Sequence, residues 1–415
     1  MNRFARSIVL RLLSRVHGGE LEIVEGSELH TFGEATGPSA PRVRLEVRSP
    51  SFYRALLRGS VGLCESYMDG LWECEDLVGL TRIAALNVHA LDGLRRAFAP
   101  VLIPVQRWMR WLRSNTIDRS RRQIAAHYDL GNDLFGLFLD RTMMYSCAVF
   151  DSPQATLEEA SLAKLERVCA KLDLDPADHV LEIGTGWGGF AVYAAKHYGC
   201  RVTTTTISRE QHAYATERVR VAGLEDRVTV LLEDYRALGG RYDKLVSIEM
   251  IEAVGWQNFP TYFRRCSELL APDGAMLLQA IVIDDRAYQV EKAGKSFINT
   301  YIFPGGCLPS LELISHQLSR VTDLRQVHME DITAHYATTL AHWRARFLAA
   351  SGRLADLGYD ERFRRLWNLY LSYCEGGFRE RRIQDVQLLL AKPGYRAEPA
   401  QSVEHPSAKP IDLAA

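Results

Sequence analysis

The sequence lacks three features that would narrow its function at once: paired cysteines, a long apolar run and a strong net charge. Eight cysteines are scattered without a Cys-x-x-Cys pair or a plausible zinc set with histidine, which favours buried thiols in a reducing cytoplasm and predicts no metal site. No stretch of about 18 apolar residues occurs, so we expect no membrane-spanning helix. The formal net charge is -1, so we expect no nucleic-acid partner.

What is present is the composition of a large globular protein. Hydrophobic residues make up 47% of the 415 residues and charged residues 24%, which is enough for two or three domains with a sizeable core. Arginines interrupt the N-terminal segment too often for a secretory signal, so a cytoplasmic protein is expected.

Four segments are predicted from changes of pattern along the chain. Residues 1–93 combine helical spacing with strand-like alternation and predict a small α+β domain. Residues 94–122 mix tryptophans and arginines around two prolines, which fits either a bilayer surface or a linker with a solvated basic face. Residues 123–392 alternate strands with helices, and residues 393–415 predict a disordered, proline-containing tail.

The stretch 180–190 organises the third segment. It predicts a strand, a tight turn through Gly184, Gly186 and Gly188, and a helix. The spacing is Gly-x-Gly-x-Gly rather than the Gly-x-Gly-x-x-Gly of dinucleotide-binding loops, and the acid Glu182 stands two residues before the first glycine. This pattern is similar to motif I of S-adenosylmethionine-dependent methyltransferases, although a glycine turn without a ligand is the alternative.

The alternation of strands and helices predicts a doubly wound, Rossmann-like α/β domain, with strands at residues 179–183 and 228–232, a helix at 209–221 and a turn at 272–274. The resemblance to motif I implies that this domain is of the class I methyltransferase type. Ligands of such a sheet lie beyond the carboxyl ends of its strands. The residues expected at those ends are 182–188, Thr206, Asp234, 249–252 and 279–281.

Motifs spread over about residues 122–392 resemble the cyclopropane-fatty-acyl-phospholipid synthase family, which includes mycolic-acid cyclopropane synthases and fatty-acid methyltransferases. They occur in the order of that family, so the resemblance is more specific than motif I alone. The segments that carry it are 127–133, 145–147, 180–189, 206–211, 234–236, 252–255, 301–309 and 370–374.

The resemblance implies transfer of a methylene carbon from S-adenosylmethionine to the cis double bond of an unsaturated phospholipid acyl chain. A bound bicarbonate is the implied general base. Because an alkene is a weak nucleophile, the site has to be dry and aligned. A raised pKa is expected for Glu252. The implied bicarbonate ligands are Cys147 and Ile281 through their backbones, Glu252, Gln279 and Tyr336.

The resemblance also implies which residues bind the methyl donor. Tyr145 and Ser146 are expected at its methionine end, with a core aromatic and a helix cap as the alternative. The remaining implied contacts are Glu182 and the three glycines of the turn, with Thr206, Gln211, Asp234 and Tyr235 around the adenosine half.

Two positions need separate treatment. Better-known bacterial synthases have histidine where this chain has Gln279, and a glutamine amide can donate hydrogen bonds but cannot titrate. The change leaves room for an exocyclic methylene or a methyl branch as the product. Cys374 matches a reactive cysteine of the family, although a buried, inert cysteine is the alternative.

Three readings of function therefore remain at this stage. The first is alkylation of a phospholipid acyl chain by a protein peripherally associated with the inner face of the membrane, with a homodimer left open. The second is methyl transfer to a soluble small molecule or a coenzyme-bound fatty acid. The third, a non-catalytic lipid-binding protein, predicts loss of the glycines or of Glu252, and both are present.

Overall fold

The computed structural model describes residues 2–88, 131–294 and 296–396. Contacts divide the chain into two compact units. The first comprises residues 1–113, 289–304 and 340–383, and the second comprises residues 114–288, 305–339 and 384–415. The predicted linker and the predicted tail from residue 397 lie outside the described residues, so the predicted domain boundaries stay predictions. No helix within the described ranges has both the length and the apolar character needed to span a membrane.

The helices and strands follow one another in two stretches of chain. The N-terminal stretch contains α1 (Asn2–Leu13), β1 (Glu20–Glu25), β2 (Glu28–Gly33), β3 (Arg42–Val47), α2 (Ser51–Leu56), α3 (Gly59–Met68) and β4 (Trp72–Cys74). After the gap come α4 (Asn132–Gly136), α5 (Leu157–Leu172), β5 (His179–Ile183), α6 (Gly189–Tyr198), β6 (Arg201–Thr206), α7 (Arg209–Val221), β7 (Val228–Leu232), β8 (Tyr242–Ile248), α8 (Phe259–Leu269), β9 (Leu270–Ile283), α9 (Tyr288–Ala293), α10 (Leu311–Val321), β10 (Arg325–Asp331), α11 (Thr333–Ala349), α12 (Ser351–Asp356), α13 (Glu361–Arg379) and β11 (Ile383–Ala391).

The first unit contains a four-stranded sheet in the order β2-β1-β3-β4. Along β3 every second residue is buried, because alternate side chains of a strand point to opposite faces. Helix α13 packs on this module: Arg365 donates to the carbonyl of Tyr67 at 2.6 Å and pairs with Glu73 at 2.8 Å. The first unit therefore joins the N-terminal α+β module to a helix from late in the chain.

The second unit contains a seven-stranded sheet in the order β10-β11-β9-β8-β5-β6-β7. Strands β5 to β9 pair in parallel, and β10 pairs antiparallel with β11. Helices alternate with the parallel strands, which confirms the predicted doubly wound class. The bounds predicted for β5, α7 and β7 are those observed.

The connections of this sheet reverse direction at β5. Strands β6 and β7 lie on one side of β5, and β8 and β9 lie on the other. A doubly wound sheet opens a ligand crevice at such a reversal, beyond the carboxyl ends of the two neighbouring strands. The crevice is therefore bordered by the turn after β5 and by the residues after β8.

Helices α5 and α6 pack on this sheet through apolar faces. Thr156 and Glu159 form a capping box that fixes the start of α5, since each side chain accepts from the other's backbone N–H. The buried side of α6 is formed largely by small residues such as Ala191 and Ala194, which bring the helix close to the strands. This packing holds the turn between β5 and α6 in place.

The turn predicted at residues 272–274 is wrong as a strand boundary. Strand β9 runs through it, and its register against β8 shifts there: Tyr242 pairs with Leu270, whereas Lys244 pairs with Ala275. The surplus residues form an irregularity within the strand, because proline cannot donate a ladder hydrogen bond and is accommodated at such a bulge.

Candidate active site

The glycine turn after β5 leaves an open cradle at the crevice. Gly184 and Gly186 have positive φ angles of 106° and 52°, a region that favours glycine. A Cβ at Gly184 would lie 3.1 Å from the side chain of Met250, whereas a Cβ at Gly186 would meet no described atom within 4 Å. Gly188, with a φ of 80°, directly precedes α6. The open space beside Gly186 fits the methyl donor implied by the sequence.

Glu182 is buried at the end of β5. The hydroxyl of Thr204 donates to its Oε2 atom at 2.6 Å. Burial raises the pKa of the Glu182 carboxyl to about 8, and the hydrogen bond from Thr204 and the charge of Lys164 oppose that rise. A cationic ligand in the crevice would favour the ionised carboxylate.

The residues predicted around adenosine lie where β6 and β7 end. Thr206 donates to Oε1 of Gln211 at 2.8 Å. The carboxylate of Asp234 accepts two hydrogen bonds from the guanidinium of Arg236, at 2.8 and 2.7 Å. The buried hydroxyl of Tyr235 has no hydrogen-bond partner within the described residues, so a bound ligand could satisfy it.

The segment 145–147 connects the crevice to a buried polar cluster. The ring of Tyr145 meets Phe135 edge-on, with centroids 5.1 Å apart. The hydroxyl of Ser146 accepts a hydrogen bond of 2.9 Å from Lys164 Nζ. Cys147 uses its backbone N–H toward the cluster, and its thiol points to the carbonyl of Ala148 at 3.2 Å. Burial holds the pKa of that thiol well above its ordinary value, so the neutral form prevails.

The carboxylate of Glu249 is the centre of this cluster. Its Oε1 accepts from the backbone N–H of Cys147 and from Nε2 of Gln279, both at 2.8 Å. Its Oε2 accepts from the hydroxyl of Tyr336 at 2.6 Å. The structure therefore brings together three of the predicted bicarbonate ligands, and the group that they bind is a side chain of the protein itself.

The orientation of the Gln279 amide is fixed by a chain of hydrogen bonds. Lys171 donates to Oε1 of Gln387 at 2.5 Å, and Nε2 of Gln387 donates to Oε1 of Gln279 at 3.0 Å. The Nε2 of Gln279 consequently faces Glu249, and it also donates to Asp385 at 3.1 Å. A glutamine amide has two hydrogens on one nitrogen, which suits two carboxyl acceptors.

Glu252 and Ile281, the other two predicted ligands, bind each other. The backbone N–H of Ile281 donates to Oε1 of Glu252 at 2.6 Å, and the carbonyl of Glu252 accepts from Cys307 at 2.9 Å. The Oε2 atom of Glu252 is buried and has no hydrogen-bond partner in the part of the chain that is described. Burial and the charge of Glu249 raise the pKa of Glu252 to about 8, in the predicted direction.

Two further buried groups set the charge around Glu249. Burial lowers the pKa of the Lys164 ammonium to about 8, against the nearby negative charge of Glu249. Burial and the charge of Glu249 hold the pKa of Asp385 well above its ordinary value. Burial also raises the pKa of Glu249, opposed by the hydrogen bonds from Tyr336 and Cys147 and by the charge of Lys164. Of the two carboxyl groups of Glu249 and Asp385, that of Asp385 is therefore neutral, and that of Glu249 carries the negative charge.

Cys374 belongs to a different unit from the other predicted catalytic residues. It lies in α13 of the first unit, whereas the other predicted catalytic residues lie in the second. Burial raises the pKa of its thiol to about 12, which leaves little of the nucleophilic thiolate at neutral pH. Its proposed role stays a prediction.

Sequence reasoning gave no role to four members of the cluster. Glu249 was expected at the carboxyl end of a strand, and that position was its only signal. Asp385 and Gln387 stand two residues apart on β11, a spacing that places both on one face of a strand. Two polar residues on one face of a buried strand are the signal that could have found them.

The fourth residue, Lys164, could have been found from helical periodicity. It lies seven residues after Leu157 and four before Val168, so α5 places it on the buried face. A lysine on an apolar face requires a partner. Here Ser146 and the acidic groups of the cluster provide one.

Known proteins are similar to this chain in sequence. The family model for mycolic acid cyclopropane synthetase matches residues 115–388. The chain is 41% identical over 372 residues to the cyclopropane-fatty-acyl-phospholipid synthase of Escherichia coli, covering 87% of this chain and 90% of that protein. It is 39% identical over 387 residues to tuberculostearic acid methyltransferase UfaA1 of Mycobacterium tuberculosis, covering 88% and 87%.

Solved structures are similar as well. The structure of the cyclopropane synthase MmaA2 from Mycobacterium tuberculosis superposes with a TM-score of 0.61 at 31% identity, covering 66% of this chain and 98% of that one. The mycolic acid cyclopropane synthase CmaA1, solved in complex with SAH and CTAB, gives the same TM-score, identity and coverage.

Proposed function

Because the chain belongs to the mycolic acid cyclopropane synthetase family and is an S-adenosylmethionine-dependent methyltransferase, we propose that it alkylates the cis double bond of an unsaturated phospholipid acyl chain and forms a cyclopropane fatty acid. The observation that carries the proposal is the similarity to the E. coli synthase over most of both chains. The SAH complex of CmaA1 supports the choice of methyl donor.

The chain's own residues suit this chemistry. The cradle at Gly184 and Gly186 would hold the methyl donor, and Glu182 lies two residues before it in the chain, at the end of β5. When bound, S-adenosylmethionine supplies a sulfonium methyl group that a carbon–carbon double bond can attack. The polar cluster around the half-buried Glu249 offers an acceptor for the proton that the methyl group must lose.

Bicarbonate, the base that the resemblance implies, does not fit the residues as they stand. The N–H of Cys147, the amide of Gln279 and the hydroxyl of Tyr336 are already bonded to the carboxylate of Glu249. A second anion in the same place would meet that negative charge without its donors. We therefore assign no step to bicarbonate.

A branched acyl chain is the second candidate product. UfaA1 carries the name of a tuberculostearic acid methyltransferase and is nearly as similar to this chain as the E. coli synthase. A probable fatty acid methyltransferase of Pseudomonas putida is 34% identical. Both products use the same methyl donor and an unsaturated acyl chain. They differ in whether the added carbon ends bonded to both former alkene carbons, as in the ring, or to only one, as in the branch.

Mass spectrometry of lipids tests the proposal. Vesicles of dioleoyl phospholipid are incubated with the purified chain and methyl-labelled S-adenosylmethionine. We expect the acyl chain to gain one labelled methylene and to lose its unsaturation. The same gain with an alkene retained indicates the methylene branch, and no label in any lipid contradicts the proposed function. Soluble acyl thioesters are tested in parallel. Label transfer to the thioesters and not to the vesicles would indicate a substrate outside the membrane.

We also propose peripheral contact with an anionic bilayer through residues 94–122, where arginines surround Trp108 and Trp111. Arginine binds lipid phosphate, and tryptophan suits the headgroup region. Vesicle cosedimentation should weaken when these arginines are replaced by glutamine. Undiminished binding would exclude this segment as the contact.

A further inference from the structure

The side chain of Glu249 occupies the position that an anionic base was expected to fill. A carboxylate and a bicarbonate both present a planar O–C–O group with one negative charge. The three donors around Glu249 match three of the five ligands expected for bicarbonate. On the premise of the function proposed above, we propose that Glu249 is the catalytic base of this protein and takes the place of a bound bicarbonate.

Hydrogen bonds occupy the acceptor sites of the Glu249 carboxylate. A carboxylate has about four lone-pair sites. Two hydrogen bonds end on Oε1, from Cys147 and Gln279, and one ends on Oε2, from Tyr336. Asp385, held neutral, is a further side-chain hydrogen-bond partner of this carboxylate. A proton taken up by Glu249 therefore replaces one of these four hydrogen bonds, and the Tyr336 hydroxyl controls the basicity of Oε2.

The backbone of Glu249 holds the side chain in this place under strain. Its φ angle is 47°, a left-handed value that a residue with a Cβ adopts at a cost of about 1–2 kcal/mol. The N–H of Glu249 donates to the carbonyl of Gln279 at 2.9 Å, which fixes the chain just after β8. Strained residues of this kind persist where the surrounding structure over-determines them, and they cluster at active sites.

Neighbouring groups keep the negative charge on Glu249. Gln279 donates to both Glu249 and Asp385, so one neutral amide serves two carboxyl groups. Lys164 is buried close by and supplies a positive charge, and Glu252 lies beyond with its Oε1 bonded to the backbone of Ile281. A histidine at position 279 could offer only one hydrogen per nitrogen. Gln279, unlike a histidine, can therefore donate to Glu249 and Asp385 at the same time.

The reaction balances with Glu249 as the proton acceptor. The π pair of the alkene bonds to the methyl carbon of the donor, and the sulfur keeps the electron pair of the broken carbon–sulfur bond. Positive charge remains on the other alkene carbon. Glu249 then takes one proton from the new methyl group, and the electron pair of that carbon–hydrogen bond closes the ring. The proton leaves the carboxyl group for solvent after the product departs.

Three variants of the full chain test the proposal. Glu249→Gly removes the carboxylate and suits the left-handed backbone, so the variant is expected to fold. Glu249→Gln keeps the shape but not the charge. Asp173→Gly is the matched control, since Asp173 has a φ of 51° and lies exposed at the end of α5. Label transfer to dioleoyl phospholipid vesicles is measured in buffer free of carbon dioxide and with added bicarbonate. Equilibrium dialysis with labelled bicarbonate in the presence of SAH measures binding directly.

We expect the wild-type rate to be independent of bicarbonate and the wild-type protein to bind none. Glu249→Gly should lose at least about 100-fold in turnover, the usual contribution of a general base, and should bind bicarbonate and recover activity with it. Glu249→Gln should lose activity without recovery, and Asp173→Gly should behave as wild type. A wild-type enzyme that binds bicarbonate or needs it, or a Glu249→Gln variant with the wild-type rate, overturns the proposal. A wild-type chain that labels no lipid contradicts the proposed function instead.

Discussion

Gln387 donates its Nε2 hydrogen to Oε1 of Gln279 at 3.0 Å, and this bond decides which end of the Gln279 amide faces Glu249. In a Gln387→Leu variant the amide loses that constraint, and its oxygen can turn toward the carboxylate. We expect turnover to fall about tenfold, or about 1.4 kcal/mol, with little change in the KM for the methyl donor. Steady-state kinetics measure both constants.

The same substitution at an exposed position of β10, Gln326→Leu, is the control. Gln387→Leu should also lower the free energy of unfolding by about 1–3 kcal/mol, because it leaves a buried acceptor on Gln279 unsatisfied. If turnover stays at the wild-type value while stability falls, the hydrogen-bond chain is structural and does not orient the base.

The fold was largely predictable because periodicity encodes it. Strand β5 and helix α7 were predicted with their observed bounds, since buried parallel strands read as short apolar runs between helical patterns. The turn predicted at residues 272–274 failed because a local proline–glycine signal cannot reveal that a strand continues past a bulge. Only the pairing with β8 supplies that information.

The hydrogen bond from Tyr336 to Glu249 predicts a shift in pH dependence. The phenol stabilises the ionised carboxylate and so lowers the pKa of Glu249, against the rise that burial causes. A base must be ionised to act, so kcat/KM falls as pH drops through that pKa. In Tyr336→Phe the pKa of Glu249 rises further, and the acid limb of the profile should move to higher pH.

The control for this shift is Tyr193→Phe, which removes another tyrosine-to-glutamate hydrogen bond, of 2.7 Å to Glu166, in the core of the same unit. Its profile should keep the wild-type acid limb. An unmoved acid limb in Tyr336→Phe would mean that Glu249 is not the group that titrates in kcat/KM.

Lys164 predicts a rise of stability with alkaline pH. Its pKa is about 8 in the folded protein against an ordinary 10.5, so between these values the unfolded chain holds the extra proton. The contribution of Lys164 to stability therefore increases with pH in this window, by up to about 1.4 kcal/mol per pH unit, and this gain is lost as pH falls from 10.5 back to about 8. Urea unfolding of Lys164→Met should lack this rise, whereas the exposed-site control Lys196→Met should keep it. Parallel curves for wild type and Lys164→Met would exclude a buried, charged lysine.

The site was less predictable than the fold, and Glu249 shows why. The residue types expected around a bicarbonate were identified, and Cys147, Gln279 and Tyr336 do converge. These residues bind Glu249, whose left-handed backbone directs its side chain into the cluster. Neither spacing nor composition reports a φ angle. The sequence therefore shows Gln279 only as a replacement for the expected histidine, and it assigns no role to the Glu249 carboxylate that Gln279 binds.

The cradle beside Gly186 gives the sharpest test of methyl-donor binding. Gly186 and Gly26 both have left-handed φ angles, of 52° and 60°, and a Cβ at either meets no described atom within 4 Å. Alanine should therefore cost each position a similar amount of stability, about 1 kcal/mol, through backbone strain alone. Gly186→Ala should in addition weaken SAH binding at least about tenfold, because its methyl group enters the space expected for the ligand. Gly26→Ala, in the turn between β1 and β2, should bind SAH as wild type does. Calorimetric titration with SAH and urea unfolding separate the two effects, and equal SAH affinities for the two variants would place the methyl donor elsewhere.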